Sequence, residues 1–401
     1  MTLSPFARNA VVLGLLSAVG PFAIDMYLPA LPTIAANLGA STAATQMTLM
    51  AFFAAFGLCQ IVYGPASDAV GRKPPLYFGL TVFLLGSVGC AFSPGIAWLI
   101  AFRVMQGVGA SAVMVIPRAI IRDLHTGVEA TRLMALVMLV FSVSPILAPL
   151  IGSALILPFG WRAVFVAVTI VAALALAMVA RFLPETRPAA ERVPVSPANL
   201  AGGFGGLLRH RRFLGLTFIG GLGMASFFSF LASSSFVYIS HFGLSPTQYS
   251  LAFSVNAIGF FGASQSAAAL GGRHGMARVV TVAVSLYALF AAILFAVTAA
   301  GADSLALLMG LLFLVFACLG LVVPSTMVLA LEEHGPIAGM AAALGGALQM
   351  LTGGAMIAVV SLFSDGTARP MVTVIALCAL GALATTLATL GGRRLAHQAA
   401  E

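Results

Sequence analysis

Residues 11–31 read VVLGLLSAVGPFAIDMYLPAL, and Asp25 is the one charge in the run. About twenty apolar residues is the length that crosses a bilayer as a helix. A carboxylate inside such a segment costs on the order of 3 kcal/mol to insert, so it is kept there for a task. For an isolated acid in an apolar span, that task is to take up and release a proton.

The same texture fills the rest of the 401 residues, which are 61% hydrophobic and 7% charged. Soluble domains carry about 25% charge, so a soluble class is excluded. Apolar runs predict spans at 9–30, 46–66, 76–93, 96–119, 133–156 and 162–183. A second set follows at 213–239, 247–270, 278–300, 304–331, 338–362 and 370–391. These runs do not show the alternating ten-residue pattern of barrel strands. The expected fold is an all-α membrane protein with twelve transmembrane helices in two six-helix halves, 1–183 and 213–401. The polar stretch 184–212 reads as a flexible cytoplasmic linker.

The net charge of +8 would suit a nucleic-acid partner only if it formed a patch. Instead the arginines and lysine alternate by loop. Arg8, Arg72, Lys73, Arg118, Arg122, Arg132, Arg181, Arg187, Arg192, Arg209, Arg211, Arg212, Arg273, Arg278, Arg393 and Arg394 fall on one face, against Arg162 and Arg369 on the other. The basic face is the cytoplasmic one, which places both termini and the linker inside. The partners expected are the bilayer, protons and a small molecule, with no nucleic acid. The N-terminal run continues through Asp25 without a clean cleavage site and reads as a retained first span.

Enzyme chemistry finds no support. Cys59, Cys90, Cys318 and Cys378 lie in apolar runs without metal-ligand spacing. His125, His210, His274, His334 and His397 sit in inner loops or tails and His241 near the outer face, with no catalytic partner at helical spacing. No phosphate-binding G-x-x-x-x-G-K-S/T string occurs, which removes direct ATP drive. Neither a cofactor nor a metal is expected.

Four strings carry the functional signal. Between spans two and three, GPASDAVGRKP (Gly64–Pro74) holds Asp68 near the end of a helix, where the dipole disfavours an anion, so it needs Arg72 or another helix's N-terminus. In span four, RVMQGVGASAV (103–113) places Arg103 at membrane depth, where an arginine snorkels or faces a partner. Span one runs outward and span four inward, so Asp25 and Arg103 fall within a few Å of the same height at 1.5 Å per residue. A contact between them, direct or through water, is geometrically allowed. In span five, SPILAPLIGS (144–153) spaces Ser144, Ala148 and Gly152 every four residues into a smooth groove, and Pro145 and Pro149 can bend it. In span one, GPFAIDMYLPALP (20–32) surrounds Asp25.

GPASDAVGRKP resembles the loop signature of the major facilitator superfamily, G-x-x-x-D-x-x-G-R-K/R. RVMQGVGA resembles the R-x-x-Q-G-x-G string of its proton-coupled drug transporters. SPILAPLIGS resembles the span-five motif of its antiporters, with Ala148–Pro149 in place of the second glycine-proline pair. With RAIIRDLH (118–125) and GWRAVF (160–165), the span-one string resembles the bicyclomycin- and chloramphenicol-resistance branch of drug:proton antiporters.

The resemblance implies a cytoplasmic latch at Gly64, Asp68, Gly71 and Arg72, proton coupling at Asp25 and Arg103, and an antiporter motif at Pro145, Pro149 and Gly152. The second-half loop, LGGRHGMAR (270–278), is a degenerate copy without the acid. The resemblance further implies export of amphipathic drugs across a bacterial inner membrane, with the two halves rocking; a functional monomer is expected. The alternative is a proton-coupled transporter of a metabolite such as an amino acid, a sugar or a siderophore-like compound. Candidate cavity residues are Met26, Tyr27, Gln106, Phe227, Phe228, Phe230, Asn256 and Gln349. An aromatic cavity with a few polar groups suits amphipathic ligands. Glu332 and Glu333 read as parts of a solvated loop.

Overall fold

The computed structural model describes residues 5–192 and 196–391, and every regular element among them is helical. The chain divides near Pro197 into two compact units. The first contains α1 (Pro5–Asp25), α2 (Leu31–Asn37), α3 (Thr42–Val70), α4 (Lys73–Ala91), α5 (Ile96–Leu124), α6 (Gly127–Phe159) and α7 (Arg162–Phe182). The second contains α8 (Pro197–Arg209), α9 (Arg211–Ser235), α10 (Pro246–His274), α11 (Met276–Ala299), α12 (Leu305–Glu332), α13 (Ala338–Leu362) and α14 (Arg369–Leu390). A π-helical turn, Phe236–His241, extends α9.

Eleven helical segments are long and apolar enough to cross a membrane, with α1 and α2 counted together as Phe6–Asn37. The 29-residue α10, with serine, glutamine and asparagine along its length, completes the twelve-helix layout.

Helices run further than the apolar runs predict. Arg118 and Arg122 lie within α5 and Arg132 within α6, so these side chains belong to helix ends and not to loops. A helix satisfies its own backbone and can continue into the headgroup region once the apolar side chains end. Arg393, Arg394 and His397 lie outside the described residues.

The linker departs from the expectation of a flexible coil. Its second part is the 13-residue helix α8, in which Leu207 is buried and Gly203 packs on Met340. A row of Leu200, Phe204 and Leu207 gives this short helix an apolar face to bury.

In the first unit α5 packs against both α3 and α4. The two glycines of RVMQGVGA make that possible. A Cβ on Gly107 would stand 2.4 Å from the Phe52 carbonyl of α3, and one on Gly109 would stand 2.3 Å from the Gly79 carbonyl of α4. Backbones this close leave no room for any other residue. The same close approach presses Arg103 and Gln106, on α5, into the neighbouring helices.

Candidate functional site

The first span is broken at its acid. Helix α1 contains Pro21 and ends at Asp25, and the chain then makes a 3-10 turn, Leu28–Ala30, before α2 starts. Pro29 and Pro32 are the second residues of the two new elements, within the first turn, where a missing N–H costs nothing. Asp25 does not merely interrupt the span by its charge, as the sequence reading has it; it is the last residue of α1. The carboxyl end of a helix offers an anion no dipole stabilisation. Asp25 is 5% exposed, and among the described residues it makes no ion pair.

Gly152 of α6 lies directly on the break. A Cβ there would meet the Met26 carbonyl oxygen at 2.2 Å. Pro145, Pro149 and Gly152 are all buried, so the groove read in SPILAPLIGS carries the non-helical backbone that follows Asp25.

Arg103 is fully buried beside this break. Its Nη1 donates to the carbonyl of Ala23 at 3.0 Å and to Gln106 Oε1 at 2.9 Å. The guanidinium carbon lies 4.8 Å from the Tyr27 ring centroid and 4.4 Å from that of Phe52. Nε and Nη2 have no hydrogen-bond partner among the described residues, and the aromatic faces supply the attraction. Arg103 therefore neither snorkels to the headgroups nor pairs directly with Asp25; it grips the backbone two residues before the acid.

The surrounding polar groups form a directed chain. Gln106 Nε2 donates to Ser87 Oγ at 2.8 Å, and Ser87 Oγ donates to the Phe83 carbonyl at 2.8 Å. Thr48 Oγ1 spends its hydrogen on the Thr45 carbonyl, so Tyr27 Oη is the donor in the 2.6 Å bond to Thr48 Oγ1. Cys90 Sγ lies 3.6 Å from Gln106 Oε1. Four helices, α1, α3, α4 and α5, are thus tied around the end of α1. Of the cavity candidates, Tyr27 and Gln106 are committed to this network, and the Met26 backbone is packed on Gly152.

A second site lies at the other end of the first unit. Arg72 is buried and holds Asp123 through two bonds, Nε to Oδ2 at 2.7 Å and Nη2 to Oδ1 at 3.2 Å. Its Nη1 donates to Asp68 Oδ1 at 2.6 Å and to Ser67 Oγ at 2.9 Å. Burial alone would lower the proton affinity of Arg72, and the bonds to Asp123 and Asp68 more than reverse it, leaving the guanidinium above its ordinary value.

Glu185 completes this site, accepting the backbone N–H of Arg72 at 2.8 Å and of Lys73 at 3.0 Å. It is a carboxylate on the first turn of α4, where unpaired N–H groups and the helix dipole favour an anion. Burial acts to raise its pKa, but N–H donors from Arg187, Arg72 and Lys73 prevail and hold it below the usual carboxylate range. Gly71 turns the chain with φ +97°, and a Cβ there would stand 2.8 Å from Glu185 Oε2. Gly64 lies further back on α3, with its carbonyl accepting from Ser67 Oγ.

Gly64, Asp68, Gly71 and Arg72 stand in the motif string, whereas Asp123, Glu185 and Thr186 lie outside it; Thr186 Oγ1 donates to Asp123 Oδ2 at 3.0 Å. Two acids flanking arginine-rich strings, RAIIRDLH and LPETRP, were the available signal.

In the second unit the aromatic candidates pack on one another. Phe227 stacks on Phe260, with centroids 5.5 Å apart, and meets Phe316 edge-on. Phe230 stacks on Phe253 at 5.6 Å. Phe228 covers Gly353, and Gln349 lies over Gly220. Asn256 is buried, with Nδ2 3.4 Å from the Ala252 carbonyl and Oδ1 without a hydrogen-bond partner among the described residues. Glu333 is more than a solvated loop residue, because it pairs with Arg212 and lies 3.9 Å from His210 Nε2.

The family model for the Major Facilitator Superfamily matches residues 13–359. The chain belongs to the Major Facilitator Superfamily. It is a transporter and not an enzyme. It is 36% identical over 364 residues to the uncharacterized MFS-type transporter YdgK of Bacillus subtilis, covering 90% of each chain. It is 28% identical over 368 residues to the bicyclomycin resistance protein homolog of Haemophilus influenzae, covering 92% of each. The crystal structure of the human organic anion transporter MFSD10 superposes with a TM-score of 0.64 at 22% identity, over 96% of this chain and all of that one, which concerns the fold alone. The membership makes the chain a multi-span membrane carrier.

Proposed function

We propose that the protein is a proton-coupled exporter of small amphipathic drugs, of the bicyclomycin- and chloramphenicol-resistance type, with Asp25 as the residue that carries the proton. The observation that supports this most is the position of Asp25, buried at a helix break and free of any ion pair among the described residues. An acid so placed can be neutral at little cost and is not locked in its charged form by a base. Resistance proteins among the relatives support a drug as the substrate.

Proton and substrate compete at the break in an alternating-access cycle. Arg103 fixes the end of α1 through Ala23, so that Asp25 keeps its place as its charge changes. One charge crossing about 150 mV contributes roughly 3.5 kcal/mol, enough to sustain a substrate gradient of about two to three decades. Residues 1–183 and 213–401 are the two halves of the carrier and 184–212 connects them. The basic helix ends support an orientation in which both termini and the Arg72 site lie on the cytoplasmic side of a bacterial inner membrane, with the Arg72 site acting as the latch. The carrier works as a monomer and needs no cofactor beyond the proton gradient.

Transport in everted membrane vesicles tests this reading. A pH-gradient dye should report a proton leak when a substrate antibiotic is added to wild type, and no leak in Asp25→Asn. A leak that survives Asp25→Asn removes Asp25 as the proton carrier. Folded wild-type protein that responds to no drug in a broad panel removes drug export.

A further inference from the structure

The end of α9 is wound differently from every other span. From Phe236 to His241 the helix widens to a π-turn. Phe242 N–H reaches the Val237 carbonyl at 3.0 Å and Leu244 N–H reaches the Tyr238 carbonyl at 3.0 Å, bonds that span five and six residues. Such turns hold an extra residue and are frequent at functional sites.

One ion pair anchors its last residue. His241 Nε2 lies 2.9 and 2.8 Å from the two carboxylate oxygens of Asp303, in the loop between α11 and α12. Other charged groups are scarce. On α10 the buried phenol of Tyr249 stands 6.0 Å from the Tyr238 ring by centroids. The adjoining ends of α11 and α12 carry no charge besides Asp303. The turn between α13 and α14 contributes Ala368 to the cleft that Asp303 and Phe242 also line. That turn's own charges are Asp365, bonded to Thr367, and Arg369.

We propose that the His241–Asp303 pair is a pH-responsive clasp that sets the helical register of the turn Phe236–His241, and with it the position of Tyr238. The pair is strongest when the imidazole carries a proton and the carboxylate does not. Acidification therefore holds the π-turn, and alkalinity loosens it. Returning to an α-helical register removes one residue from the turn and rotates the next part of the chain by about 100°. Tyr238, fully buried between Phe230 and Tyr249, cannot keep its place through that rotation. Gly243, at φ +73°, is the point beyond the turn that can absorb the change. The clasp lies at the end of α9 opposite its basic start; that this end faces the acidic compartment rests on the orientation proposed above.

Hydrogen exchange of residues 236–244 in the full-length protein in lipid nanodiscs, at pH 5.5 and 8, tests the clasp without relying on transport or on orientation. Wild type should be protected more at the lower pH, by roughly two- to fivefold, the range an exposed ion pair supports. Asp303→Asn should lose the difference, and His241→Arg, permanently charged, should stay protected at both pH values. Equal protection of wild type at both pH values overturns the proposal, as does a pH response that persists in both variants. Should Asp303→Asn not fold, wild type and His241→Arg still decide between these outcomes.

Discussion

Arg103 donates a hydrogen bond to the backbone carbonyl of Ala23, 3.0 Å away, and makes no ion pair with Asp25. The distinction sets what each residue can do. A direct pair would tie the guanidinium to the acid, whereas a guanidinium bound to the backbone holds the helix end and leaves the carboxyl without a basic partner among the described residues.

Arg103→Lys should therefore cost more than the loss of shape alone. Lysine keeps the charge but loses the planar group that lies over Tyr27 and Phe52 and reaches Gln106. Leaving Gln106 Oε1 and the Ala23 carbonyl short of a donor costs about 1–3 kcal/mol for each group left unsatisfied. The expected outcome is a lower melting temperature together with loss of drug-triggered proton movement. Wild-type thermal stability in Arg103→Lys would show that the network does not hold the break.

Gly152→Ala places a methyl group where only 2.2 Å separates it from the Met26 carbonyl. Backbone cannot yield as a flexible side chain can, so overpacking of about 1–3 kcal/mol is expected. Transport should fall further than stability, because the displaced segment begins at Asp25. Parallel melting and vesicle-transport measurements would separate the two effects, and full transport with a lowered melting temperature would count against a functional role for the contact.

Asp123→Asn removes the charge that Arg72 meets through Nε and Nη2. Breaking a buried pair from one side costs about 3–5 kcal/mol. Asp68, 48% exposed at its side chain, is the more dispensable partner, and Asp68→Asn should destabilise less. Melting curves in detergent give the order directly; the reverse order would mean that Asp68 and not Asp123 anchors Arg72.

Glu185→Gln should make the protein less sensitive to acid. The folded-state pKa of Glu185 is depressed, so its contribution is present above the unfolded value and is lost as pH falls through the folded one. Loss of a cap of this kind costs about 1 kcal/mol, which for a unit of this size is about 2–4 °C in melting temperature. Wild type should exceed the variant by that margin at pH 7 and converge with it on acidification below the ordinary glutamate range. A constant gap at all pH values would sink the assignment.

The motif strings show how far a linear reading reaches. RVMQGVGA marked Arg103, Gln106 and two glycines at fixed spacing, and each proved to have a physical reason: the glycines admit two neighbouring backbones, and the polar pair fills the junction. The break after Asp25 was half legible, since prolines at 21, 29 and 32 flag an interrupted helix. Glu185 was not legible as a partner of Gly71 and Arg72. It lies 113 residues from Arg72, and nothing in LPETRP states which helix N-terminus it will cap.

By itself the sequence determined that the chain crosses a membrane many times, that its basic residues gather at alternate ends of the spans, and that one acid lies within the first span. Those properties follow from the cost of moving charge and unpaired backbone into hydrocarbon, which acts on each segment separately. Only the tertiary structure decided that Arg103 binds Ala23, that Gly152 seats the backbone after Asp25, and that Glu185 closes the start of α4. Hydrogen bonds and close packing act over about 3 Å between residues far apart in the chain, and their partners exist only once the helices have come together.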